Sequence, residues 1–145
     1  MLVPWRSGVA AALHPLPQAA APRVDEPLGS WRLDATPDLR RMRRALHDAL
    51  RTARQVSGPV VLVASELATN ALRHGVPPVV VTLGRVEDGY LLDVADGSLD
   101  AVPTYSTYRP AGEGGFGLYL IGRLADEVGW YADADRKHVW AVLRH

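Results

Sequence analysis

The sequence predicts an α+β fold: a two-layer α/β sandwich whose mixed, mostly antiparallel sheet is covered on one face by three helices. Three observations predict it. Short runs rich in β-branched and large apolar residues come in adjacent pairs split by tight turns, the pattern of hairpins. Around these pairs lie longer stretches with apolar residues at helical spacing. The resulting order, β-α-α-β-β-loop-α-β-β, collects helices against an antiparallel sheet, and 145 residues suit one domain with one core.

The elements follow in chain order. Residues 1–28 are rich in Pro and Ala and predict a disordered arm, because Pro supports neither helix nor ladder and Ala buries little. The domain proper is expected over residues 29–145. In "GSWRLDA" (29–35), Trp31 and Leu33 alternate with Arg32 and Asp34, as in a half-buried strand. "TPDLRRMRRALHDALRTARQ" (36–55) opens a helix with Thr36 as N-cap, Pro37 in the first position and Asp38 in the first turn. Leu39, Met42, Leu46, Ala49, Leu50 and Ala53 form its apolar stripe. Arg40, Arg43, Arg44, Arg51 and Arg54 lie opposite, as a solvated face or as a grip for phosphates or an acidic partner. "SGP" (57–59) starts a second helix, which ends near Gly75, where "VPP" stops it. "VVVTLGR" and "YLLDVAD" pair around "EDG" as a hairpin. Residues 97–115 read as one long loop, a length that usually serves a lid or a binding loop. "FGLYLIGRLADEV" (116–128) is a third helix, and "GWYAD" with "HVWAVLR" closes the chain as a last hairpin.

Composition excludes several classes. The formal net charge is zero, so the surface as a whole attracts neither nucleic acid nor anionic membrane. The absence of cysteine excludes disulfides and thiolate metal sites and fits a reducing compartment. The apolar run at 9–13 is short and broken by His14, Pro15 and Pro17, which argues against a signal peptide. No stretch has the length of a bilayer span, and a cytoplasmic protein is expected.

Three features carry chemistry. Glu66, Asn70 and His74 recur every four residues on the second helix, beside the apolar arc of Ala64, Leu67, Ala68 and Ala71. Their line drifts about 40° per step, which sets them at the border of the core, facing a cleft or merely edging the layer. Asp96 and Gly97 end the strand "YLLDVAD", where a carboxylate can accept from an exocyclic amine or simply make a turn. "GEGGFGL" (112–118) sets a glycine cluster before a helix, a backbone able to cradle phosphates or to act as a hinge.

Taken in order, E-x-x-x-N on a helix, D-G after a hairpin strand and G-x-G-G-x-G-L before the next helix resemble the GHKL ATPase superfamily. "VVLVASELATNALRHG", "VADGS" and "GEGGFGLYLIGRLADEVGW" are similar to its three boxes, and "KHVWAVL" to its last strand. The chain looks most like the small anti-sigma-factor serine kinases of actinobacteria. The resemblance implies a Bergerat ATP-binding fold, a histidine kinase-like ATPase (HATPase_c) domain over 29–145, and ATP with Mg²⁺ as cofactors. It implies Glu66 as general base, Asn70 as the magnesium ligand and Asp96, with Gly97, as the adenine contact. Gly112, Gly114, Gly115, Gly117 and Leu118 would line the phosphates under a lid at roughly 98–113. The implied partners are a sigma factor and an anti-anti-sigma (STAS-type) protein, with a homodimer allowed and no direct nucleic acid or membrane contact.

Two positions depart from the family. The first glycine box reads "DGSLD" instead of D-x-G-x-G, and His138 stands where a threonine usually helps to hold the adenine-binding aspartate. "LHDAL" (46–50) resembles a phosphoacceptor site, but His47 lies only nineteen positions before Glu66, with no separate dimerisation helix. Two function classes stay open: an ATP-dependent protein serine/threonine kinase, and a non-catalytic switch that senses nucleotide, or none, and holds a partner.

Overall fold

The computed structural model describes residues 13–99, 104–106 and 121–145. Its elements are β1 (Leu13–Pro15), β2 (Glu26–Leu33), α1 (Asp38–Ala49), α2 (Arg54–His74), β3 (Val79–Val86), β4 (Gly89–Asp96), β5 (Thr104–Ser106), β6 (Glu127–Ala132) and β7 (Lys137–Arg144). Residues 121–124 are also helical, with Ile121 buried. Five strands form one sheet in the order β2-β3-β4-β7-β6, every neighbouring pair antiparallel.

The period of two along each strand divides the side chains between two faces. Tyr90, Leu92 and Val94 of β4 join Ala141 and Leu143 of β7 in the main core under the helices. Leu39, Met42 and Leu46 of α1 enter the same core, as does the run from Val56 to Ala71 on α2. The opposite face holds a smaller cluster of Val86, Leu91, Trp140 and Val142. β3 and β4 are joined through Glu87 and Asp88 alone, and Asp88 takes φ 62°, a left-handed conformation that Asp tolerates better than most residues.

Several local expectations are corrected. Thr36 makes no cap. The Asp38 carboxylate instead accepts from the Asp34 amide at 2.8 Å and the Ala35 amide at 3.2 Å, and these bonds lower its pKa. α1 stops at Ala49, and α2 begins at Arg54, so Pro59 lies inside it. The last hairpin begins at Glu127, where the sequence predicted helix through Val128. Pairing with β7 decides this, Val128 standing opposite Ala141.

The expected disordered arm is also corrected from Leu13 onward. β1 pairs antiparallel with β5, which lies inside the predicted long loop. Leu16 is 2% exposed in the main core. The Ala19 amide donates to the Trp130 carbonyl and the Trp130 amide to that of Pro17, both at 2.9 Å. The Trp140 indole donates to the Ala19 carbonyl, also at 2.9 Å. The segment then crosses the outer face until the Asp25 amide bonds the Arg85 carbonyl. Pro and Ala are poor at filling a core, but they suit a flat strap laid over one.

Candidate functional site

A small cleft lies where the end of α2 meets β4 and β7. Leu67, Asn70, Ala71, His74 and Gly75 line it from the helix side, Val94 and Asp96 from β4, Lys137 and Val139 from β7. Asn70 and Asp96, distant in sequence, thus share one cavity. His74, the last member of the polar line on this helix, lines it too.

Asp96 is the best-defined member. It is 3% exposed at the end of β4. Its Oδ1 accepts from the Ser98 amide at 2.7 Å and the Val76 amide at 3.3 Å. The neighbouring Gly97 amide donates to the Val76 carbonyl at 2.8 Å, so the turn after β4 is tied to the chain leaving α2. Both bonds to Asp96 go to Oδ1. Oδ2 accepts none from the described residues, which leaves a carboxylate oxygen open to the cleft for a donor.

Gly75 explains how this carboxylate comes so close to the helix. Its φ is −95°, so no left-handed cap is involved. A Cβ built there would stand 2.6 Å from Asp96 Cγ and 2.6 Å from the Ala71 carbonyl oxygen. The glycine is required by close approach and not by its backbone angle.

Glu66 lies one turn before Asn70 on α2, half-buried and outside the residues lining the cleft. Gly112, Gly114, Gly115, Gly117 and Leu118 lie outside the described residues, as does most of the expected lid. Of the arginine face, Arg40, Arg44, Arg51 and Arg54 are exposed, while Arg43 donates from Nε to the buried Ser65 hydroxyl at 2.8 Å.

The expectation for His138 is corrected. In the register of β4 and β7, Asp96 pairs with Lys137, and His138 pairs with Ala95. Strand alternation therefore turns Lys137 into the cleft and His138 to the outer face. There His138 Nδ1 meets Asp93 Oδ1 at 2.8 Å, and Nε2 meets Asp133 Oδ2 at 3.0 Å. Its ring stacks on Tyr131, with centroids 4.4 Å apart and planes 6° from parallel. His138 thus does not occupy the place of a support for Asp96. Lys137, the cleft-lining residue that sequence reasoning missed, is the one that stands opposite Asp96 in the register.

The arrangement can present a hydrogen-bond acceptor, an amide and a cation to one bound molecule in a partly buried cleft. It offers no cluster of acidic or histidine metal ligands among the described residues, nor among them a helix long and apolar enough to cross a membrane. In comparisons with known proteins, the family described as histidine kinase-like ATPase domain matches residues 32–143. No curated protein matches the chain.

Proposed function

Because the chain belongs to the histidine kinase-like ATPase domain family, we propose that it binds ATP with Mg²⁺ in the cleft between α2 and strands β4 and β7, and acts as an anti-sigma-type regulatory kinase. In this reading the γ-phosphate passes to a serine of an anti-anti-sigma (STAS-type) partner, and the protein also holds a sigma factor in the cytoplasm. The observation that carries the nucleotide site is the spare Oδ2 of Asp96 in the same cleft as Asn70. An open acceptor there matches the exocyclic amine of adenine.

The residues present fit the implied ligands. Asn70 supplies one neutral oxygen, which suits an ion that keeps several waters and takes its remaining ligands from phosphates. When bound, Mg²⁺ neutralises phosphate charge. Asp96 orients the base, and Leu67, Val94 and Val139 give the cleft apolar walls. In this reading Glu66, one turn before Asn70 on α2, takes the proton of the incoming serine hydroxyl. Phosphoryl transfer asks mainly for such positioning.

A second reading has its own observation: Glu66 does not line the described cleft. The protein would then hold its partner with or without nucleotide and transfer nothing. Labelled ATP and a panel of candidate STAS-type proteins separate the two. Under the kinase reading, Glu66→Gln keeps nucleotide and partner binding while transfer falls by about 10²- to 10⁴-fold. Binding by wild type and variant with transfer by neither establishes the switch.

A further inference from the structure

The two strands beneath the cleft each send one row of side chains toward the helices. On β4 the row is Tyr90, Leu92, Val94 and Asp96; on β7 it is Lys137, Val139, Ala141 and Leu143. Each row carries its single charge at the end that reaches the cleft. Those two residues, Asp96 and Lys137, stand directly opposite each other in the antiparallel ladder, and both line the cleft. Opposed residues on one face hold their Cβ atoms about 4.5–5.5 Å apart, so one small group can meet both.

The backbone on either side of the pair is braced. The Asp133 carboxylate accepts from the Asp135 amide at 2.9 Å and the Arg136 amide at 2.8 Å, which shapes the turn into β7. A terminal nitrogen of Arg136 donates to the Pro78 carbonyl and, at 3.2 Å, to that of Ala95. Lys137 therefore leaves a braced strand end, half-buried, beside a carboxylate that is 3% exposed.

We infer that Lys137 is a second base-recognition residue of the cleft, its ammonium donating to a ring nitrogen beside the exocyclic amine that Asp96 Oδ2 accepts from. This role presupposes that the cleft binds ATP, as proposed above, and adds how the base is read. Adenine carries an acceptor nitrogen on either side of its amine, N1 and N7. The lysine head has donors and no acceptor, while the ionised aspartate only accepts, so the pair matches a donor next to an acceptor. The charges agree. A neutral base lying over Asp96 displaces water from the carboxylate, and a buried charge without a partner is costly. A cation at the opposed position offsets that charge, so the pair suits a neutral base better than a cationic ligand.

Calorimetry on the full chain with Mg²⁺ and ATP, 1-deaza-ATP or 7-deaza-ATP is the test. Each analogue replaces one ring nitrogen by C–H and keeps the amine. The wild type is expected to bind one of the two about tenfold more weakly than ATP, the loss of one hydrogen bond from a charged donor, and the weaker analogue identifies the nitrogen. Lys137→Met keeps the apolar stem on β7. It should weaken ATP about tenfold and bind ATP and that analogue alike. Lys137→Arg, which keeps a cationic donor, should retain part of the preference, and circular dichroism checks that both variants fold. Equal affinity of the wild type for ATP and both analogues overturns the inference, and so does a preference that survives in folded Lys137→Met. An equal loss for all three nucleotides in Lys137→Met, absent with adenosine, would place Lys137 on the phosphates and overturn it too. Failure of the nucleotide reading itself looks different: the wild type then binds none of the three, and the role of Lys137 falls with it.

Discussion

Two aspartates three residues apart on β4 face opposite sides of the sheet and are used differently. Asp93, on the outer face, has both oxygens engaged, one by His138 and one by Tyr131. Asp96, under the helices, receives both of its bonds on one oxygen and keeps the other open to the cleft. The same side chain on the same strand is a brace in one place and a recognition group in the other. The difference lies in how its acceptors are filled, and burial alone does not show it: Asp96 is the more buried of the two.

The largest effect that sharpens this contrast is on nucleotide binding. Asp96→Asn is expected to weaken ATP by about 1.5–3 kcal/mol, roughly tenfold to a hundredfold, because the amide can turn its NH₂ toward the adenine amine. GTP affinity should change far less. Calorimetry with both nucleotides checks it, and an equal loss for the two would mean that only the turn around Ser98 and Val76 had been damaged. Asp93→Ala should show the reverse pattern. Leaving Tyr131 and His138 without their shared acceptor is expected to cost about 1–3 kcal/mol in urea unfolding, with ATP affinity kept. Loss of ATP binding in a folded Asp93→Ala protein would break the division between the faces.

Gly75→Ala tests the contact that brings Asp96 to the helix. The added carbon would fall 2.6 Å from the Asp96 carboxyl carbon, so the side chain has to move or the helix end has to shift. The expected outcome is a loss of about 1–3 kcal/mol in stability, together with weaker ATP binding. Unchanged ATP affinity would show that the Asp96 position is not set by this contact.

Periodicity made much of this legible. The helix stripes, the β3–β4 hairpin and the border position of Asn70 follow from spacing, which depends only on local geometry. Register does not. Reading the last strand from His138 set that residue beside Asp96, but the pairing of Asp96 with Lys137 moves every assignment by one and changes its face. The strap from Leu16 to Val24 was also hidden. Its bonds run from backbone groups of Pro17 and Ala19 to Trp130 and Trp140, more than a hundred residues away, and composition carries no trace of such partners. The requirement for glycine at position 75 was hidden for the same reason, since it arises from a carboxylate on another strand.

The smallest expected effect concerns pH. Both His138 ring nitrogens face carboxylates, and a neutral imidazole has only one N–H to give, so the geometry favours the protonated ring. The hydrogen bond to Asp93 is the main cause of a pKa raised above the usual 6.5, with the Asp93 charge and the Asp133 bond adding to it and burial opposing. Below about pH 6.5 the ring is protonated in the folded and unfolded chain alike, and its contribution to stability is fully present. Above that value the unfolded chain releases the proton while the fold retains it. Stability therefore declines until the pH passes the folded-state pKa, where the contribution is lost. Asp133 does not confuse the measurement, because backbone bonds from Asp135 and Arg136 hold its pKa down at about 2. Urea midpoints from pH 6 to pH 9 should fall more steeply for the wild type than for His138→Gln, and the two curves should converge at the alkaline end. ATP affinity measured over the same range should be unaffected by the substitution, since His138 lies across the sheet from the cleft. Parallel midpoint curves would show that the ring is not protonated between its two carboxylates, and a pH-dependent change in ATP affinity confined to the variant would show that the outer brace reaches Asp96 through the strand.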